Sequence, residues 1–286
     1  MAVSTGDTLY AEASASVEPA PAKINLALHV TGRRSDGLHA LDSLVVFAGE
    51  GDVIRAVPEP GGVITTGVEG PFAEALTEAL KEGDNLVLKA ALAMASKRPL
   101  RRGGTRIIIN KRLPVAAGIG GDERGLAGIA ARIGADVPMC LLSRPLRAQG
   151  AGERLTPVAG MPALPLVLVN PGVRVSTAKV FERLEHADDP PLPEIPRSFR
   201  SVFEFVIWLR QTRNGLDEPA RAEGKVITRV VSALLADPDC LFARMSGSGP
   251  TCFGIFASPA AAQRAAIRLR VGRPEWWIVA CVTGGS

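Results

Sequence analysis

The stretch Pro114-Val-Ala-Ala-Gly-Ile-Gly-Gly121 restricts the fold more than any other, because it directly follows the β-branched run Thr105 to Asn110 and its exit Lys111-Arg-Leu. A strand that leaves into clustered glycines, with residues of high helix propensity downstream, exposes successive backbone N–H groups. A helix dipole behind them adds positive potential, so phosphate oxygens suit such a loop. An ordinary flexible loop fits the same letters. Neither of two better-known phosphate motifs is present. Gly32-Arg-Arg-Ser-Asp-Gly37 has Walker A glycine spacing but continues Leu38-His39 where Lys and Ser or Thr are required. Gly247-Ser-Gly249 is not a dinucleotide fingerprint, since Cys252 occupies the next glycine position.

Upstream, Pro21 to Val30 alternates as a strand, with Ile24, Leu26 and Leu28 on one face and Lys23, Asn25 and Ala27 on the other. Lys23 and Asn25 therefore point the same way. An ammonium buried among apolar neighbours costs several kcal/mol unless an anion meets it, whereas a rim lysine lays only its stem on apolar surface. A turn-rich stretch, Thr31 to Gly37, leads to a strand at Leu41 to Phe47, and the spacing after it predicts further antiparallel strands to about residue 70. Asp84 caps a predicted helix from Asn85 to about Ser96. In Gly134-Ala-Asp-Val-Pro138, Asp136 reads either as the N-cap of a helix through Met139 and Cys140 or as a functional carboxylate. His39 follows a glycine turn and reads equally as structural or functional. His29 and His186 show no chemical context.

A second half begins near Arg154, with a strand at Leu166 to Asn170 and helices at Thr177 to Glu185, Phe199 to Gln211 and Lys225 to Ala236. It closes with the run Phe242 to Phe256, which contains Ser246-Gly-Ser-Gly249, then a helix opened by Ser258-Pro259 and a strand at Trp276 to Val282. Short strands mixed with helices predict an α+β architecture in two lobes. The expected division is a disordered tail over 1–19, an N-terminal domain over 20–153 and a C-terminal domain over 154–286.

Composition narrows the function. With 286 residues, 47% apolar and 22% charged, the chain is globular and long enough for one large domain or two ordinary ones. Its net charge of +4 favours anionic small molecules without demanding a polyanion. Nine Phe, three Trp and one Tyr are too few for the stacking platforms of a single-strand nucleic-acid binder, so no nucleic-acid partner is expected. Cys140, Cys240, Cys252 and Cys281 lie far apart in apolar contexts and read as buried free thiols of a reducing compartment. The first twenty residues match neither a secretory signal nor an anchor, and no window reaches the roughly 18 apolar residues of a membrane span. The expectation is a cytoplasmic protein, monomeric or weakly dimeric, without a membrane partner.

Taken together, Pro21-Ala-Lys-Ile-Asn25, Pro114-Val-Ala-Ala-Gly-Ile-Gly-Gly121 and Ser246-Gly-Ser-Gly249 resemble, in order, the three motifs of the GHMP small-molecule kinases. The longer segments PAKINLALHVTGRRSDGLHALDSLVVF, KRLPVAAGIGG, IGADVPMCL, VNPGVRVSTAKVF and MSGSGPTCF are most similar to the branch acting on 4-diphosphocytidyl-2-C-methylerythritol. The resemblance implies a two-lobed GHMP fold: a ribosomal-protein-like ATP-binding domain, a ferredoxin-like substrate domain and an active site in the cleft between them. It also implies ATP-dependent phosphorylation of that substrate's tertiary 2-hydroxyl in non-mevalonate isoprenoid synthesis, with Mg²⁺ bridging phosphate oxygens.

Residue by residue, Lys23 and Asp136 match the catalytic pair. Asn25, His39, Thr177 and Phe181 match substrate positions, His39 at the cytosine edge, Phe181 stacked on the base and Thr177 along the erythritol diphosphate. Pro114, Ala116, Ala117, Gly118, Ile119, Gly120 and Gly121 match the ATP phosphate loop, and Ser246, Gly247, Ser248 and Gly249 the second loop beside the transferred phosphate. No residue is assigned to the metal.

Two departures stand out. The family's Tyr before the substrate histidine is Leu38 here, which removes an aromatic partner from one face of the base. The family's loop also continues Gly-Gly-Gly-Ser-[Ser/Ala]-[Asp/Asn]-Ala-Ala into a long helix, whereas Gly121 runs directly into Asp122-Glu-Arg-Gly. A helix on the order of 20 residues is missing. Either the chain has lost its phosphate-gripping serines, or a segment has dropped from the sequence between Gly121 and Asp122. An intact mass of 30.0 kDa would exclude the second. Two rivals follow: a GHMP kinase of homoserine or mevalonate type, against which Asp36-Gly-Leu-His39 argues, and a catalytically inactive binding protein of the same fold.

Overall fold

A computed structural model describes residues 15–82, 86–97, 104–115 and 137–284. They fall into two compact units, one formed from the chain up to Pro21, Gly51–Val115 and the stretch up to Leu141, the other from Ala22–Glu50 and Leu142 onward.

In the first unit, strand β2 (His39–Glu59) supplies its second half, which pairs antiparallel with β4 (Gly104–Asn110) from Val53↔Asn110 to Glu59↔Gly104. The isoleucine run of β4 explains its extended form, since β-branched side chains pack well on a pleated surface. Strand β3 (Ile64–Glu69) lies on the other side of β4 and runs parallel to it, Ile64 opposite Thr105. This corrects the expectation of antiparallel strands to residue 70. A parallel pair needs a long crossover, and the chain between β3 and β4 carries two helices, α1 (Ala73–Glu82) and α2 (Leu86–Lys97). Only the second of these was expected, and its predicted cap, Asp84, lies outside the described residues. Helix α3 (Val137–Leu142) follows the 116–136 segment.

In the second unit, β1 (Ser16–Arg33, from Ala22 onward in this unit) pairs with the first half of β2. The strand starts at Ser16, inside the span expected to be a tail; residues 1–14 lie outside the described residues. Burial is continuous from Ala22 to Val30, so both faces of this strand are covered rather than one. On its other side β2 pairs antiparallel with β5 (Leu146–Gly150), Leu41 opposite Gly150, and β5 with β6 (Arg154–Pro157).

A second sheet has the order β10-β7-β9-β8, formed by β7 (Pro165–Asn170), β8 (Cys240–Met245), β9 (Cys252–Phe256) and β10 (Trp277–Val282), every pair antiparallel. In chain order these strands are first, second, third and fourth, so the spatial order is 4-1-3-2, the ferredoxin-like arrangement. Helices α4 (Thr177–Glu182), α5 (Val202–Leu209), α6 (Asp217–Glu223) and α7 (Val226–Leu235) connect β7 to β8, and α8 (Pro259–Gly272) connects β9 to β10. Helix α7 buries Ile227, Val230, Val231 and Leu234, a stripe at helical spacing. Helix α8 buries Ala261, Ala262, Ala265 and Ala266, whose small side chains allow a close approach. These side chains share one core with Val167, Val169, Met245, Cys252 and Phe256. A fully buried Val, Leu or Phe stabilises by roughly 1.5–3 kcal/mol, so this packing holds the sheet that carries the site.

All four cysteines are free thiols; Cys140 and Cys252 are buried as expected, whereas Cys240 and Cys281 are only partly buried. Among the described residues no helix is long and apolar enough to cross a membrane.

Candidate active site

Lys23 and Asn25 sit two residues apart on β1, 5% and 8% exposed. Their burial excludes the rim-lysine reading, in which the ammonium stays in water. The Asn25 backbone N–H donates to Ser246 Oγ at 3.0 Å, so the first and third sequence motifs meet across 221 residues. The Asn25 side-chain amide donates to Ser43 Oγ on β2 at 2.7 Å, and Ser43 in turn donates to the Ala27 carbonyl at 2.7 Å. Ser43 locks the Asn25 rotamer from the neighbouring strand. Sequence reasoning missed it, because its only signal is a cross-strand pairing that the letters do not state.

The loop after β8 is tightly shaped. Ser246 N–H donates to the Thr251 carbonyl and Gly249 N–H to the Ser246 carbonyl, both at 2.9 Å. Gly247 and Gly249 have φ of +56° and +76°, conformations that side-chain-bearing residues seldom adopt. At Gly249 an added Cβ would lie 2.6 Å from Met245 Sδ, so the turn has no room for one. Ser248 Oγ and Thr177 Oγ1, the latter in the first turn of α4, are 2.8 Å apart.

One turn further along α4, the Phe181 ring stacks on His39 with centroids 4.9 Å apart and an interplanar angle of 23°. Burial, and secondarily the nearby Arg33 charge, hold the His39 imidazole below its ordinary value. Leu38 beside it is 55% exposed. Six of the sequence-selected residues thus form one band: Asn25 to Ser246 in the serine-glycine loop, Ser248 to Thr177, then Phe181 to His39.

In the other unit Pro114 is buried at the exit of β4. Its approach is set by Asp52, whose carboxylate accepts from the Arg112 and Leu113 backbone N–H groups at 2.8 and 2.9 Å and pairs with Lys111 at 2.5 Å. Asp52 was also missed in the sequence, where it reads as one more residue of a Gly-Asp turn. Asp136 and the loop residues Ala116, Ala117, Gly118, Ile119, Gly120 and Gly121 lie outside the described residues.

The chain is 46% identical over 278 residues to 4-diphosphocytidyl-2-C-methyl-D-erythritol kinase of Dinoroseobacter shibae, covering 92% of this chain and 93% of that enzyme. A sequence profile described as GHMP kinases C terminal matches residues 207–270. The chain belongs to the GHMP kinase family. A crystal structure of 4-(cytidine 5'-diphospho)-2C-methyl-D-erythritol kinase superposes on this GHMP kinase with a TM-score of 0.73 at 31% identity, covering 95% of this chain and all of that one. L. major mevalonate kinase in complex with R-mevalonate shares the fold, at a TM-score of 0.61 and 15% identity over 95% of this chain and 96% of that one. The alignment to the D. shibae enzyme is also informative in its length. Its 278 positions cover 92% of the 286 residues here, about 263, which leaves about 15 positions with no counterpart in this GHMP kinase. That shortfall is somewhat longer than an average helix of about 11–12 residues and shorter than the roughly 20 expected.

Proposed function

We propose that the chain transfers the γ-phosphoryl group of ATP to the 2-hydroxyl of 4-diphosphocytidyl-2-C-methyl-D-erythritol, giving the 2-phosphate and ADP. The acceptor oxygen forms the new bond to phosphorus as the bond to the ADP oxygen breaks. Asp136 takes or orients the hydroxyl proton, which can leave late because phosphoryl transfer is largely loose. Lys23, the cationic member of the matched pair, favours alkoxide character on the acceptor oxygen. The Ser246–Gly249 turn suits a phosphate, since its two glycines at positive φ give the tight, side-chain-poor backbone whose N–H groups can face phosphate oxygens. Mg²⁺ bound to the phosphate oxygens would neutralise charge developing on them. Among the described residues no group of three or more His, Cys, Asp or Glu is placed to hold a metal ion. Asn25, Thr177, His39 and Phe181 place the acceptor, with Phe181 stacked on the base and His39 at its edge.

The observation that supports this reading is the contact of Asn25 with Ser246, which joins the lysine-bearing strand to the Ser246–Gly249 loop proposed here as the phosphate-side loop. The test is ADP release measured in parallel with 4-diphosphocytidyl-2-C-methyl-D-erythritol, homoserine and mevalonate. Turnover with the first alone supports the proposal. Turnover with another acceptor, or binding of the first without ADP release, replaces it with one of the two rivals. We also infer a cytoplasmic enzyme, monomeric or weakly dimeric, with no nucleic-acid partner.

A further inference from the structure

Between α5 and α6 the chain passes through Thr212-Arg-Asn-Gly-Leu216, a strap to which neither sequence motif nor proposed chemistry assigns a role. On one side it is stitched to β1. Leu28 N–H donates to the Arg213 carbonyl at 3.0 Å and Gly215 N–H to the Leu28 carbonyl at 2.7 Å. Arg213 N–H donates to His29 Nε2 at 3.1 Å, while His29 Nδ1 lies 2.7 Å from the Pro190 carbonyl. That pair of contacts fixes the neutral ring with its proton on Nδ1.

On the other side the strap grips the serine-glycine loop. Asn214 Nδ2 donates to the Met245 carbonyl at 2.9 Å and to the Gly247 carbonyl at 2.8 Å, one hydrogen to each. Its Oδ1 accepts from Leu216 N–H at 3.0 Å, and the flipped amide would set oxygen against two carbonyls. Arg244, on β8, ties the two sides together. Its Nη1 donates to the Leu26 carbonyl at 3.0 Å and to Thr212 Oγ1 at 2.9 Å, and its Nη2 to the Thr212 carbonyl at 2.6 Å. Burial lowers this guanidinium to about 10, so it stays charged at neutral pH.

The two carbonyls held by Asn214 flank Ser246, the residue whose hydroxyl meets Asn25. We infer that Asn214 is a positioning residue for phosphoryl transfer: by clamping both carbonyls it sets the Ser246–Gly249 turn against the strand that carries Lys23. This rests on the proposed function, because it takes that turn as the phosphate-side loop. Misplacement of such a loop by about 1 Å costs on the order of 10²-fold in rate.

Three variants test it. Asn214→Ala removes the clamp and the Leu216 contact. Asn214→Ser leaves a hydroxyl able to accept from Leu216 N–H but unable to reach both carbonyls. Asp237→Asn is the control: it weakens the Asp237–Arg268 pair, at 2.8 Å, and so lowers stability without touching the loop. The expected result is a fall of about 10- to 100-fold in kcat/KM for ATP in Asn214→Ala. Asn214→Ser recovers only a minor part of it, and Asp237→Asn stays within about twofold at a comparable drop in Tm.

Full rescue by serine, or an equal loss in the control, overturns the clamp while leaving the kinase reading intact. An inactive parent overturns the kinase reading instead. The clamp is then judged by amide exchange at Gly247 to Gly249, which must be faster in Asn214→Ala than in Asp237→Asn. Should Asn214→Ala not fold, Asn214→Ser alone decides by the same criteria.

Discussion

Lys23 carries a positive charge into a strand whose flanking residues, Ala22 and Ile24, are fully buried. An ionisable group so placed, on a strand that meets the serine-glycine loop, is a functional-site candidate. Lys23→Ala is expected to keep the fold and to lower turnover by about 10²- to 10⁴-fold, the range of positioned acid–base machinery, read by ADP release. An unchanged rate would remove Lys23 from the mechanism. At the base subsite, Leu38→Tyr restores an aromatic face worth about 0.5–1.5 kcal/mol, so KM for the cytidine substrate should fall about two- to tenfold. His39 adds a pH dependence whose sign follows from its lowered titration. The neutral ring, which keeps an acceptor nitrogen for the base, persists down through the ordinary value of about 6.5 and is lost only below it. KM for the substrate should be flat from pH 8 to 6.5 and rise at lower pH; a rise already between pH 8 and 7 contradicts the assignment. Lys23, Asn25 and the serine-glycine loop were legible because each lies in a short motif. Ser43, Asp52 and Asn214 were not, because each acts through a partner from 18 to 61 residues away in sequence that only folding brings near.

Elements are legible to the extent that their ends carry local chemistry. Helix α8 begins where Ser258-Pro259 places it, with Ser258 Oγ accepting from Ala261 N–H. The predicted helix over Phe199 to Gln211 contracts to Val202–Leu209, because Ser201 caps it and Glu204 reaches back to the Arg200 N–H. The short strands β5 and β6 and the short helix α6 carry no comparable signal at their ends, and the parallel setting of β3 depends on a crossover that no local pattern announces. What joins β2 to β5 beyond their ladder is a buried ion pair. Asp42, 2% exposed, accepts from Arg147 Nε and Nη2 at 2.7 and 2.5 Å and from Leu192 N–H at 3.0 Å. Asp42→Ala strands that guanidinium and one buried amide, and should cost about 3–5 kcal/mol in urea unfolding.

At the scale of the whole molecule, the three motifs were enough to anticipate the fold family, while the 4-1-3-2 order of the second sheet was not readable from strand positions alone. Side-chain identities state which segments are extended; which neighbour each one finds is decided by crossover lengths and by the core that α7 and α8 close. Burial also governs the sulfur chemistry. Burial pushes the Cys240 and Cys281 thiols up to about 11 and about 12, and Cys252 higher still, and Cys140 is 1% exposed. A disulfide reagent such as Ellman's should therefore titrate fewer than one sulfhydryl per native molecule and four after denaturation. The wild-type background is then already silent toward maleimides, so a fluorophore or spin probe could be attached at one engineered surface cysteine without first removing any native one.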